Sequence, residues 1–155
     1  MTIGEISLRL AAAALLGGAL GLNRYIHHKY VGIRTLSVVS LSGAALIVAA
    51  VPVFSSEGVS RVIQGLLTGV GFIGAGVIVH ARHSADVRGL TSAATVFLCM
   101  ATGILCGLAD WQLIIILAAM SILLLTFGGR LERFLSARFS PAGAKLEAGD
   151  EDEDQ

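Results

Sequence analysis

Charge is what this chain has least of. Asp, Glu, Lys and Arg make up 14% of its 155 residues, where a soluble domain carries about a quarter. Six of the eleven acidic residues crowd into positions 147–154, which leaves long uncharged stretches before them. The net charge of zero therefore averages unlike parts and says little about partners. Cysteine is also scarce: Cys99 and Cys106 are the two present. On one helix they stand about 10 Å apart by helical rise, too far to bridge each other. Small buried thiols are the plain reading, and a soft-metal site with Met100 is the alternative. No basic segment precedes the first apolar run and no clear cleavage site follows it, so no signal peptide is expected.

The uncharged stretches themselves are abundant. Apolar residues make up 55% of the chain and the mean hydropathy is +0.81. A helix needs about 20 apolar residues to cross the hydrocarbon core. Five runs meet this length, at 3–22, 35–54, 62–80, 90–109 and 111–128. The expected fold is an all-α integral membrane protein with five transmembrane helices over residues 1–128. Residues 129–140 should form an amphipathic helix on the membrane surface: Leu131, Phe134, Leu135 and Phe139 share one side, with Arg130, Arg133 and Arg138 mostly elsewhere. Residues 141–155 read as an acidic disordered tail.

Lys and Arg orient the spans. Arg24, Lys29 and Arg34 lie in the first connection, Arg82 and Arg88 in the third, and Arg130, Arg133, Arg138 and Lys145 after the fifth span; only Arg61 lies in the second and none in the fourth. The bias places the C-terminus in the cytoplasm and the N-terminus outside, as five spans require.

No span carries an acidic residue at depth, since Glu5 sits at the outer end of the first. This excludes a carboxylate relay for protons and a membrane-buried oxygen cage for Mg²⁺. The histidines lie in connections without a matching buried nucleophile, so no enzymatic site, cofactor or resident metal is expected. His80 and His83 have a spacing that could share a metal, but loops on the positive side often carry such residues.

"GVGFIG" at 69–74 fits the glycine pattern that cradles a dinucleotide, yet that pattern needs a preceding strand and a later acid. It sits inside an apolar span, and Asp86 follows Gly74 by only twelve residues. No nucleotide or nucleic-acid partner is expected. The glycines read as packing devices, because small residues let membrane helices approach closely. Gly65, Gly69 and Gly76 share one face, with Gly71 and Gly74 nearly opposite; on this reading the third helix is the centre of the bundle. A broken third helix that binds an ion is the rival. Gly17 and Gly21 repeat the device on the first helix, in a stripe with Arg9, Ala13 and Arg24, and Gly103 and Gly107 repeat it on the fourth.

Ser92, Thr95, Cys99, Thr102 and Cys106 align within about 80° of arc on the fourth helix. They read as glue between helices or as the lining of a path. Thr91 and Ser92 stand where a helix start is ordinarily capped. Arg9 could snorkel to the outer interface with Glu5 as its i,i+4 partner, or be buried to fix the bundle or contact an anion. Asp86 is the only carboxylate on the cytoplasmic side before the tail helix, and pairing with Arg24, Arg34 or Arg88 is its natural expectation.

"RLAAAALLGGALGLNR", "GIRT", "GVGFIGAGVIV" and "VRGLTSAAT" follow one another in the order and approximate spacing of the MgtC/SapB membrane family, which the chain closely resembles from about residue 9 to 128. The resemblance implies a bacterial inner-membrane protein tied to growth under magnesium limitation and, in pathogens, to survival inside host cells. It implies a regulator more than a magnesium transporter, with the F-type ATP synthase as one partner. The family's marked positions fall here on Arg9, Gly17, Gly21, Arg24, Gly32, Arg34, Thr35, Gly69, Gly71, Phe72, Gly74, Gly76, Gly89, Leu90, Thr91 and Ala93. Two departures stand out. The acidic pair that flanks the first-loop arginine in the family is replaced by Asn23 and Tyr25, and the short tail is not expected to supply the ACT-like C-terminal domain many members carry.

Two functional readings follow. One is a regulatory protein that meets another membrane complex, membrane lipids or a second copy of itself through its helix faces. The other is a small ion or solute carrier with a path between the third and fourth helices.

Overall fold

The computed structural model describes residues 1–26, 29, 31–80 and 89–139, with side chains for all of these except 79, 80 and 130–139. They form five α-helices: α1 (Ile3–Ile26), α2 (Ile33–Ala50), α3 (Ser56–His80), α4 (Leu90–Leu108) and α5 (Trp111–Phe139). All five are long and apolar enough to cross a membrane. The protein is a multi-pass membrane protein of all-helical class.

Local sequence explains where the helices start and stop. Thr2 and Glu5 form a reciprocal capping box at the head of α1: the Thr2 amide donates to Glu5 Oε2 (2.9 Å) and the Glu5 amide to Thr2 Oγ1 (3.3 Å). Ser55 Oγ accepts the Gly58 amide at the start of α3. At the end of α4, Ala109 N–H donates to the Cys106 carbonyl and Asp110 N–H to that of Leu105, the paired bonds of a Schellman motif. Asp110 Oδ1 then accepts the Leu113 amide and caps α5, so the α4–α5 turn is closed within two residues.

The chain divides into two compact units, Met1–Ile122 and Leu123–Gln155. The second unit contributes the rest of α5 to the description, as far as Phe139. The stretch expected as a separate surface helix from 129 is, as far as 139, a continuation of α5; the tail from 140 lies outside the described residues.

Within the first unit α1, α2 and α4 pack on one another, and α3 lies against α4 and, to a lesser extent, α2. Ala13, Ala44, Cys106 and Ile114 form a buried cluster that joins α1, α2, α4 and the first turns of α5. The expectation that the third helix is central is wrong. Of the membrane-spanning part of α4, 56% is buried, against 11% for that of α3. α3 turns Val70 and Gly74 inward, while Phe72 is 84% exposed. It is a flank, and α4 is the centre.

Candidate functional site

Of the stripe on α1, Ala13, Gly17, Gly21 and Arg24 are buried, with Leu20 beside them, and Arg9 is half-buried. A Cβ at Gly17 would stand 2.6 Å from the Leu36 carbonyl oxygen, and one at Gly21 would stand 2.6 Å from Ile33 Cα. Backbone therefore meets backbone where α1 crosses α2, and only glycine permits it.

α4 meets α2 in the same way. A Cβ at Gly103 would overlap the Ser40 carbonyl, and one at Gly107 would lie 2.6 Å from Ile47 Cβ. Gly43, on the α2 side, would bring a Cβ to 2.8 Å from Met100 Sδ. Sequence reasoning missed Gly43. Its signal was present, since Ser40, Gly43, Ala44 and Ile47 recur at helical spacing and all four are buried.

The glycines of α3 behave differently. A Cβ at Gly65, Gly69, Gly71 or Gly76 would meet nothing within 4 Å, and one at Gly74 only makes ordinary contact with Ala93, 3.7 Å away. Among the described residues these four pack against nothing, contrary to expectation. Helical period alone shows that glycines share a face; it does not show what that face meets. Gly65 and Gly69 instead line an apolar groove of about 450 Å³ with Leu46, Leu66 and Met100.

Two arginines tie α1 to α4. Arg24 Nη2 donates to Ser92 Oγ at 3.1 Å, and Arg9 Nη1 donates to the Gly107 carbonyl at 2.8 Å. The helices are antiparallel, and the partners lie fifteen residues apart on each, about 22 Å by helical rise. Arg9 thus serves the negative end of α4, where a cation is favourable. The reading of Arg9 as an i,i+4 partner of Glu5 gives way to this contact, because Glu5 is engaged in the capping box. The cap expected at Thr91 and Ser92 also fails. The N-cap of α4 is Gly89, with φ 96° and no side-chain cap bond, and Ser92 accepts from Arg24 instead.

The stripe of mild polarity on α4 is buried throughout: Ser92, Thr95, Cys99, Thr102 and Cys106. It faces α1 and α2, since Ser92 meets Arg24, Gly103 meets Ser40 and Cys106 clusters with Ala13 and Ala44. Thr95 and Thr102 donate back to the carbonyls of Thr91 and Leu98, the usual refuge of a hydroxyl in an apolar helix. Both cysteines are free and buried.

Among the described residues two buried side-chain polar atoms have no hydrogen-bond partner: Arg24 Nε and Ser40 Oγ. Arg34, Thr35 and Thr91 are exposed in the first turns of α2 and α4, and Asn23 is half-buried beside Arg24. Asp86 and Arg88, expected in the same cluster, lie outside the described residues, as does His83. Among the described residues no group of three His, Cys, Asp or Glu is arranged to hold a metal ion.

Comparison with known proteins adds a lineage to this geometry. The model of the MgtC family matches residues 10–134. Protein MgtC of Brucella abortus is 39% identical over 98 residues, which cover 63% of this chain and 40% of that protein. Protein MgtC of Salmonella typhimurium is 37% identical over 105 residues, 68% of this chain and 44% of that one. Protein SrpB of Synechococcus elongatus is 35% identical, covering 87% of this chain and 81% of its own length. The matched part is thus less than half the length of these MgtC relatives. No solved structure matches the chain.

Proposed function

This chain belongs to the MgtC family, and from that premise we propose that it is a regulatory protein of the bacterial inner membrane, linked to growth under magnesium limitation or intracellular stress. It acts not as an enzyme but by docking against a transmembrane helix of another membrane complex. The F-type ATP synthase is the partner the family resemblance suggests.

The observation that carries this reading is the uncompensated glycine content of α3. Each glycine inside a helix costs about 1 kcal/mol relative to alanine. At Gly17, Gly21, Gly43, Gly103 and Gly107 close backbone approach offsets that cost within the chain. At Gly65, Gly69 and Gly76, which share one face of α3, no described residue does. A helix brought against this flank would find room for its backbone. The carrier reading draws no such support, because the hydroxyl stripe of α4 faces α1 and α2 and the groove beside α3 is apolar.

Leucine substitution tests the proposal. Gly69→Leu and Gly76→Leu should insert and fold normally, since their side chains enter open space, yet fail to restore growth of a deletion strain in low magnesium. Ile115→Leu, on an exposed position of α5, should restore it. Full rescue by both glycine variants would refute docking through α3.

A further inference from the structure

One end of the bundle gathers positive charge from three helices. Arg24, two residues before the end of α1, is only 4% exposed. Its Nη2 is held by Ser92 in the first turn of α4, and its Nε is buried without a partner. Among the described residues the ion pair is Arg61–Glu57, at the opposite end of the bundle, and no carboxylate accompanies Arg24. A buried guanidinium without a counter-charge is a costly arrangement.

The start of α4 lies beside this guanidinium. It has glycine at its N-cap, no side-chain cap and no acid in its first turn, so among the described residues its first amides carry the positive end of the helix without an acceptor from a capping side chain. α2 begins at the same end with the same features: Gly32 at the N-cap, no side-chain cap and no acid. The contact between Gly21 and Ile33 puts that start one helical turn from Arg24. Arg34 then adds a cation to the first turn of α2, where the helix dipole disfavours one. At the other end of the bundle the rule is obeyed, since α1 has Glu5 and α3 has Glu57 in the first turn. Packing among the described residues does not require a glycine at Gly32, because a Cβ there would meet none of them within 4 Å.

We propose that this corner, where the end of α1 meets the starts of α2 and α4, binds a phosphate-type oxyanion, either a lipid headgroup phosphate or free inorganic phosphate. The anion accepts from Arg24 Nε and from the first-turn amides of α4, while the start of α2 and Arg34 add to the attracting field. The site is independent of the docking face on α3, so either assignment can fail without the other.

The test uses the full chain and thermal unfolding in two arms. In one, inorganic phosphate is titrated in neutral detergent against chloride at matched ionic strength. In the other, nanodiscs of phosphatidylglycerol are compared with nanodiscs of phosphatidylcholine. Stabilisation by phosphate assigns the free anion, and stabilisation by phosphatidylglycerol alone assigns the headgroup. Arg24→Gln should weaken the response about tenfold or more, as loss of a charge-assisted hydrogen bond does. Gly32→Asp, whose side chain enters open space and supplies its own carboxylate, should fold like the parent and weaken the same response. It decides the matter if Arg24→Gln does not fold. No stabilisation in either arm, or an undiminished response in Gly32→Asp, would overturn the proposal.

Discussion

At the scale of single residues, the glycines of this chain fall into two classes that look alike in sequence. Gly103 sits against the Ser40 backbone, whereas a Cβ at Gly69 or Gly76 would meet no described residue within 4 Å. Alanine separates them. Gly103→Ala must push α2 and α4 apart, and overpacking of this kind costs on the order of 1–3 kcal/mol. Gly69→Ala and Gly76→Ala meet no atom and remove a helix-weakening residue, so each should stabilise the isolated protein by up to about 1 kcal/mol. Unfolding of the purified variants in detergent reads both. A loss of stability at Gly69 would mean that α3 packs within the chain after all. Arg9 is the other residue with a clear expectation. Arg9→Met keeps much of the apolar stem but leaves the Gly107 carbonyl without its charged donor, a loss of roughly 1.5–3 kcal/mol for a bond to a charged group. An unchanged melting temperature would show that water or lipid replaces the arginine at no cost.

At the scale of elements, the α4–α5 turn shows how helix ends are set by a few polar groups. Ala109 takes the left-handed conformation at φ 61° that a Schellman motif needs and that glycine adopts without strain. Ala109→Gly should therefore stabilise the turn, by about 1 kcal/mol or less, because glycine also loosens the unfolded chain. Asp110→Ala removes the cap on the Leu113 amide and should cost about 1 kcal/mol. Opposite shifts in stability from adjacent residues would verify the motif; shifts of the same sign would contradict it. The pairing of α1 with α4 is a second lesson at this scale. Two arginines, one near each end of α1, fasten it to the two ends of a helix that comes third after it along the chain.

At the scale of the whole molecule, the orientation proposed from Lys and Arg can be read by labelling. Cys99 and Cys106 are both fully buried, so an impermeant thiol reagent should leave them unreacted in the folded protein. Ser56→Cys should then react from outside intact cells, and Ser84→Cys only after the membrane is opened. The reverse pattern would invert the topology and move the Arg24 corner to the outer face.

The sequence by itself determined the class, the number of spans and the lineage, because each depends on local quantities: the length of apolar runs and the order of short motifs. It also determined which residues share a face, since helical period is a property of one helix; the stripe from Arg9 to Arg24 and the one from Ser92 to Cys106 are both present as read. Only the tertiary structure decided what each face meets. Gly17 and Gly69 both stand in glycine-containing apolar helices, yet one abuts a backbone and the other borders an open groove. Arg9 has an acid one turn away in sequence but bonds a carbonyl 98 residues along. Ser92 stands where a cap belongs and instead holds Arg24. The physical reason is the same in each case: an apolar helix can pack through any of its faces, and the choice among them is made by the neighbours, which no single helix encodes.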